Sequence, residues 1–163
     1  MNYSECIENA RTRIGNYCKA CPECNGRACK NQMPGPGAKG IGDTAIRNYD
    51  KWKEIRVQMD TIAENKPVDT SLELFGKKFL YPFFAGPVGA VGLHYGDCLD
   101  DVRYNDILVS ACAKYGIAAF TGDGLDSNVM VAATKAIGKT DGIGIPTVKP
   151  WNIDTVAEKM KMV

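Results

Sequence analysis

Four of the seven cysteines in this 163-residue chain lie close together, with the spacing C-x2-C-x2-C-x4-C. The four are Cys18, Cys21, Cys24 and Cys29. Such a run brings four thiolates around one small volume, as a tetrahedral zinc ion or an iron–sulfur cluster requires. Three basic neighbours, Lys19, Arg27 and Lys30, would offset the negative charge of the thiolates. The spacing therefore predicts a metal site, and it does not separate zinc from iron–sulfur.

Other uses of these cysteines stay open. Disulfides fit poorly, because the number of cysteines is odd and the start of the chain, Met1–Cys6, lacks the basic and apolar regions of a secretory signal. Redox-active thiols and unligated structural cysteines are the two remaining alternatives. Cys112 lies on the apolar stripe of a predicted helix, and we expect it to be a small buried hydrophobic residue.

The composition narrows the possible partners. Lys and Arg number 20 and Asp and Glu number 19, so the formal net charge is +1. This balance gives no support for non-specific binding to nucleic acid or to an anionic membrane, which needs a strongly basic surface. No apolar run approaches the ~20 residues of a transmembrane helix. These features predict a soluble, cytoplasmic globular protein that binds neither nucleic acid nor membranes.

The cysteine run is expected to lie in an N-terminal segment of helices and loops, residues 1–69. A short helix is predicted over residues 4–14, with Ser4 as its N-cap. An irregular loop rich in Pro and Gly is predicted over Met33–Gly42. A second helix is predicted from Asp43 or Thr44 towards Met59.

From about residue 71 the pattern changes to strands that alternate with helices. A short hairpin is predicted first, from Ser71–Phe75 and Lys78–Leu80 joined across Gly76-Lys77. Three strand–helix units follow. Their strands are predicted at 83–85, 117–120 and 142–145. Their helices are predicted at 104–115, from Asp126 or Ser127 to Gly138, and after Asn152 as an N-cap. Apolar strands that alternate with amphipathic helices indicate a parallel sheet covered by helices.

The expected fold class is therefore α/β. A (β/α)8 TIM barrel takes ~250 residues, so three units correspond to part of one. Residues 70–163 are predicted to form the hairpin and the first three βα units of such a barrel, preceded by the helical, cysteine-rich segment 1–69. Three parallel strands alone leave two unpaired edges, and a stable lone monomer is not expected.

Three stretches of this part of the chain carry a family resemblance: Thr70–Pro87, His94–Asp97 and Ala111–Gly116. Their order and spacing resemble the hairpin, first barrel strand, first loop and first helix of the FMN-dependent α-hydroxy-acid oxidases and dehydrogenases, such as glycolate oxidase and the flavin-type L-lactate dehydrogenase. The resemblance extends from about Gly37 to Val163. It implies an FMN cofactor that lies across the C-terminal mouth of a barrel.

The resemblance also implies which residues contact the flavin. Pro87, Val88 and Gly89, after the first strand, would contact the isoalloxazine through backbone and small side chains. Thr121, after the second strand, matches a hydroxyl that hydrogen-bonds the pyrimidine edge of the ring. Lys149 is predicted as a further cofactor contact after the third strand, and Asp123 is a second polar candidate at the mouth.

The implied reaction is oxidation of a small-molecule 2-hydroxy acid by hydride transfer to the flavin. Pro146 stands where the family has a carboxylate-binding Tyr, and the family's other such Tyr is missing near Pro34–Gly37. The family's catalytic His and Arg come from late in the barrel, and the only His, His94, matches another position. We therefore expect no catalytic residue in this chain, and no activity without a C-terminal half-barrel or a second copy.

Two alternative functions stay open beside this one. The missing Tyr residues fit another FMN barrel, such as a type 2 isopentenyl diphosphate isomerase. A function of a different class is a cysteine-rich metal or redox module whose half-barrel pairs with a partner chain.

Overall fold

A computed structural model describes residues 1–32, 42–141 and 143–163. These residues form two compact units, Met1–Lys66 with Gly92–Cys98, and Pro67–Val91 with Leu99–Val163. The division into domains at residue 69 stays a prediction. The Pro- and Gly-rich loop predicted over Met33–Gly42 lies outside the described residues, except for Gly42.

Helices α1 (Tyr3–Arg13) and α2 (Asp43–Trp52) lie in the first unit. The N-cap of α1 is Asn2 and not the predicted Ser4, because Asn2 and Glu5 form a capping box. The Asn2 side chain accepts from the Glu5 N–H at 2.9 Å, and the Glu5 carboxylate accepts from the Asn2 N–H at 2.9 Å. Helix α2 ends at Trp52, before the predicted Met59. The residues that follow are exposed and have no packing to stabilise a longer helix.

The second unit begins with an antiparallel hairpin of β1 (Leu72–Leu74) and β2 (Lys77–Phe79). Its two-residue turn is Phe75-Gly76, where both φ angles are positive, at 53° and 71°. Positive φ at both positions matches the right-handed twist of the flanking strands. The predicted hairpin is confirmed, with its turn one residue earlier than Gly76-Lys77.

A small parallel sheet forms the centre of the second unit. Strand β3 (Ala119–Thr121) pairs in parallel with β4 (Gly144–Pro146). On the other edge of β3, Ala85 donates to the Ala118 carbonyl at 3.0 Å and accepts from the Phe120 N–H at 2.9 Å. The three segments predicted as strands thus lie side by side in chain order. The α/β class is confirmed, and no closed barrel forms within the described part of the chain.

Four further helices complete the chain: α3 (Val91–Tyr95), α4 (Asp101–Lys114), α5 (Ser127–Gly138) and α6 (Ile153–Met160). Side chains of Asp100, Asp126 and Asn152 cap the N-termini of α4, α5 and α6. The buried core of the sheet and helices contains Val109, Cys112, Ala119 and Ala136, so Cys112 is a buried hydrophobic residue as predicted. None of the described helices has the length and apolarity that a membrane crossing needs.

Candidate functional site

Three loops follow the C-terminal ends of the parallel strands in the second unit: residues 86–90, 121–124 and 147–151. Sites in parallel α/β folds are built at this end of the strands. All five residues predicted to contact a flavin lie on these loops or at the end of β3. They are Pro87, Val88, Gly89, Thr121 and Lys149.

The first two loops touch through their main chains. A Cβ atom on Gly122 would lie under 3.0 Å from the carbonyl group of Val88 and from the N–H of Gly89. A Cβ atom on Gly89 would lie 2.6 Å from the carbonyl oxygen of Asp123. Only glycine at both positions permits this approach. The contact brings Val88 and Gly89 beside the end of β3, where Thr121 lies.

The Thr121 side chain is fully buried, and its hydroxyl has no hydrogen-bond partner among the described residues. A buried hydroxyl without a partner costs about 1–3 kcal/mol. The hydroxyl has no accessible surface, so a ligand such as the pyrimidine edge of a flavin would reach it only after the residues that cover it move. The buried side chain of Asn105 in α4 is also unpaired among these residues, and nothing in the structure explains it.

Asp123 is the most connected polar residue of these loops. Its Oδ1 accepts from the Gly124 N–H at 2.9 Å and from the Lys159 ammonium. Its Oδ2 accepts from the Lys149 N–H at 2.8 Å and from the Trp151 indole N–H at 2.7 Å. Lys159 also donates to the Gly124 carbonyl at 2.7 Å. The Asp123 and Lys159 side chains are 0% and 2% exposed, so this ion pair is withdrawn from water.

The surroundings of the Asp123 carboxyl favour its charged form. Burial acts to raise its pKa, but hydrogen bonds from Lys159, from the Lys149 N–H and from the Trp151 indole outweigh burial and hold the pKa below its ordinary value. Asp123 was predicted only as a polar candidate, and Lys159 and Trp151 were not predicted at all. A Lys within an amphipathic helix is typically solvated, so its sequence carries no signal of this role.

Lys149 takes part through its main chain as well as its side chain. Its N–H is fixed by Asp123, whereas its ammonium lies 5.9 Å from the centre of the Trp151 ring. The residue is exposed, so its charge is accessible to a ligand.

The cysteine run lies in the first unit and is held by α1. Arg11 donates to the Ala20 carbonyl at 3.2 Å, and the Tyr3 hydroxyl donates to the Pro22 carbonyl at 2.7 Å. Within the run, the Ala20 N–H donates to the Cys18 sulfur at 3.5 Å.

The cysteines of the run are free thiols. Burial raises the pKa of the Cys29 thiol, and the thiols of Cys24, Cys18 and Cys21 raise it further. Burial raises the pKa of the Tyr95 phenol, and Cys18, Cys24 and Cys29 raise it further. Within the described ranges, no group of three or more His, Cys, Asp or Glu side chains is arranged to hold a metal. The metal site therefore stays a prediction.

Comparison with known proteins gives one match. A family model described as FMN-dependent dehydrogenase matches residues 35–143. This range includes the hairpin, β3 and α5, and with them Pro87, Val88, Gly89 and Thr121, whereas Lys149 and the cysteine run lie outside it. No curated protein and no solved structure matches the chain.

Proposed function

Because this chain belongs to the FMN-dependent dehydrogenase family, we propose that its second unit forms the wall that contacts the flavin ring in an oxidoreductase acting on a 2-hydroxy acid. FMN, when bound, supplies the hydride acceptor. The observation that carries the proposal is the main-chain contact of two strand-end loops at Gly89 and Gly122, beside the end of β3. This contact holds Val88 and Gly89 beside Thr121, so the proposed ring contacts of the first two loops lie together.

Each residue of the wall has a separate task in this proposal. Pro87, Val88 and Gly89 pack against the ring, and the Thr121 hydroxyl hydrogen-bonds its pyrimidine edge. Lys149 contributes positive charge beside the cofactor. The 2-hydroxy acid rests on the family resemblance. Pro146 at the end of β4 has no phenol to bind a carboxylate, which favours a different FMN-barrel substrate as the alternative.

We also propose that the remaining strands of a barrel come from a C-terminal half-barrel or from a second copy of this chain. The supporting observation is that the described strands form two separate two-stranded sheets with open edges, apart from the bridge at Ala85. In this arrangement the catalytic base, the Arg for the substrate and the phosphate site lie outside the wall, since barrels bind phosphate after strands 7–8.

Replacing Thr121 with valine tests the flavin wall. We expect the affinity for flavin to fall about tenfold, which corresponds to ~1.4 kcal/mol, because a methyl group cannot hydrogen-bond the ring. The free energy of unfolding without flavin should rise by about 1 kcal/mol, because the unpaired hydroxyl is removed. Flavin fluorescence quenching and urea unfolding measure the two effects, and we expect FMN and riboflavin to bind the chain equally.

The matched control is Thr134→Val, whose hydroxyl lies in α5 and donates to the Met130 carbonyl at 3.0 Å. This variant should bind flavin like the wild type. A wild-type chain that binds neither FMN nor riboflavin at millimolar concentration would contradict the proposed function. Unchanged flavin binding in Thr121→Val would contradict the role of Thr121 alone.

For the cysteine run, we propose a bound zinc ion or iron–sulfur cluster on Cys18, Cys21, Cys24 and Cys29. The C-x2-C-x2-C-x4-C spacing of these four residues supports this proposal. Protein purified without oxygen should contain about one zinc per chain, or about four irons with an absorption band of a cluster. Metal analysis and absorption spectroscopy distinguish the two.

Cys21→Ser should lower the metal content severalfold, whereas Cys6→Ser and Cys98→Ser, which change exposed cysteines outside the run, should not. Equal metal content in wild type and Cys21→Ser would show that the run is not the binding site. In that case, redox-active or structural thiols become the better explanation.

A further inference from the structure

One residue, Asp123, contacts the other two strand-end loops of the second unit. The main chain of Asp123 lies against Gly89 of the first loop. Its side chain holds the Lys149 N–H and the Trp151 indole of the third loop, and Asp123 itself belongs to the second. Lys159 joins this set from α6. The carboxylate therefore joins the second loop to the third loop and to α6, and the main chain of the same residue meets the first loop.

The donors around Asp123 require a group that only accepts. Two donors converge on each carboxylate oxygen, and all four are N–H groups. An asparagine in this place would turn its own NH2 group towards two of these donors. A charged carboxylate is thus the side chain that satisfies all four at once, and Lys159 supplies the compensating charge.

Stability alone does not explain this pair. Burying two charges is expensive, and well-packed apolar residues in place of a buried ion pair are often at least as stable. The pair instead gives fixed geometry, since four hydrogen bonds in defined directions leave the loops one arrangement. The residues that this arrangement brings together are the proposed ring contacts, Gly89, Thr121 and Lys149.

We propose that Asp123 and Lys159 are positioning residues of the flavin site, which fix the loops after the three parallel strands so that Gly89, Thr121 and Lys149 meet the same ring. This inference rests on the proposed flavin function. Neither side chain contacts the ring in this proposal, because both are buried beneath the loops. Their effect on flavin passes through the loop main chains.

The two tryptophans of the chain provide a direct measurement. The indole N–H of Trp151 is hydrogen-bonded to Asp123, whereas Trp52 is 74% exposed and serves as an internal reference. In the wild type we expect slow hydrogen exchange at the Trp151 indole and fast exchange at Trp52, measured by NMR without flavin. This readout reports the loop anchor whether or not flavin binds.

The test variant is Asp123→Asn with Lys159→Met, which removes both charges together. We expect exchange at the Trp151 indole to become at least about tenfold faster, and riboflavin affinity to fall about tenfold, under conditions where urea unfolding shows the variant to be folded. The visible circular dichroism of bound riboflavin should also change, which a purely stabilising role would not cause. Trp151→Phe removes one donor and keeps the ion pair, so it provides a milder variant should the double variant not fold, with a smaller loss of riboflavin affinity expected.

The matched control is Asp106→Asn with Lys139→Met, the same exchange of residue types at an exposed ion pair of the same unit, whose atoms lie 2.6 Å apart. It should change neither exchange nor riboflavin affinity. The inference would be overturned if the folded double variant kept the riboflavin affinity and dichroism of the wild type. If only Trp151→Phe folds, the same result in that variant would overturn it. A wild type that binds no flavin would overturn the proposed function and, with it, the inference. This outcome is distinct from the others, because it is observed in the wild type before any residue is replaced.

Discussion

Replacing Lys159 with methionine is expected to lower the free energy of unfolding by about 3–5 kcal/mol at pH 7, because it leaves the Asp123 carboxylate buried without its countercharge. Domains of this size are stable by only about 5–15 kcal/mol, so the loss is a large share of the total. The remaining donors, the N–H groups of Gly124, Lys149 and Trp151, are neutral and do not replace the ammonium. Urea unfolding at pH 7 measures the effect.

The same variant has a predictable pH dependence. In the wild type the pKa of Asp123 lies below its ordinary value, so its contribution to stability is present above about pH 4, the unfolded pKa, and is lost as the pH falls through the folded pKa. Without the Lys159 ammonium, less opposes the effect of burial on the Asp123 carboxyl, so the pKa of Asp123 in the folded state rises. The difference in unfolding free energy between wild type and Lys159→Met should therefore shrink between about pH 6 and pH 3.

Lys139→Met is the control for this prediction, since Lys139 pairs with Asp106 on the surface. An exposed pair contributes at most about 1 kcal/mol, and salt screens it. A loss in Lys159→Met no larger than that of the control, or a difference that grows in acid, would contradict the ion-pair explanation.

The local signals in the sequence predicted much of the fold of the second unit. The N-caps Asp126 and Asn152 precede α5 and α6 as expected, because a capping side chain acts within its own turn. The chain order of the three parallel segments also follows from the alternation of apolar runs and amphipathic helices. These features depend on residues that are neighbours in sequence.

The polar centre of the site could not be predicted in this way. The bonds from Asp123 reach Lys149, Trp151 and Lys159, which are 26, 28 and 36 residues away. Helix α6 carries the apolar residues Ile153 and Met160, which are 83% and 57% exposed, whereas its Lys159 is buried. Periodicity places an apolar stripe inward by default. A buried charge reverses this only where the fold brings a partner beside it, and such a partner is distant in the sequence.

At Thr121 the residue type could be interpreted from the sequence, but the packing around it could not. The family resemblance places a hydroxyl at the end of the second parallel strand, and Thr121 lies there at the end of β3. The contact of the loop after Ala85 with Gly122, the next residue, could not be predicted. The sequence shows only the two glycines of this main-chain contact, and glycines are also typical of ordinary turns.

Replacing Gly122 with alanine is the second change with a large expected effect. The new Cβ atom would lie under 3.0 Å from the Val88 carbonyl group and from the Gly89 N–H, closer than real Cβ atoms approach. Both are main-chain groups, so no side-chain rotation relieves the overlap, and one loop has to move. We expect the free energy of unfolding to fall by about 3 kcal/mol or more. Riboflavin binding should be lost, because Val88 and Gly89 separate from Thr121.

Gly138→Ala is the matched control, since the same methyl group there meets no atom within 4 Å. Gly138 is the last residue of α5, and alanine favours the helix over glycine by up to about 1 kcal/mol. This variant should therefore be at least as stable as the wild type and bind riboflavin equally. If Gly122→Ala gave the same urea unfolding and riboflavin titration as Gly138→Ala, the two loops would not touch through their main chains. The proposed ring-binding wall would then lack the contact that brings Val88 and Gly89 to Thr121.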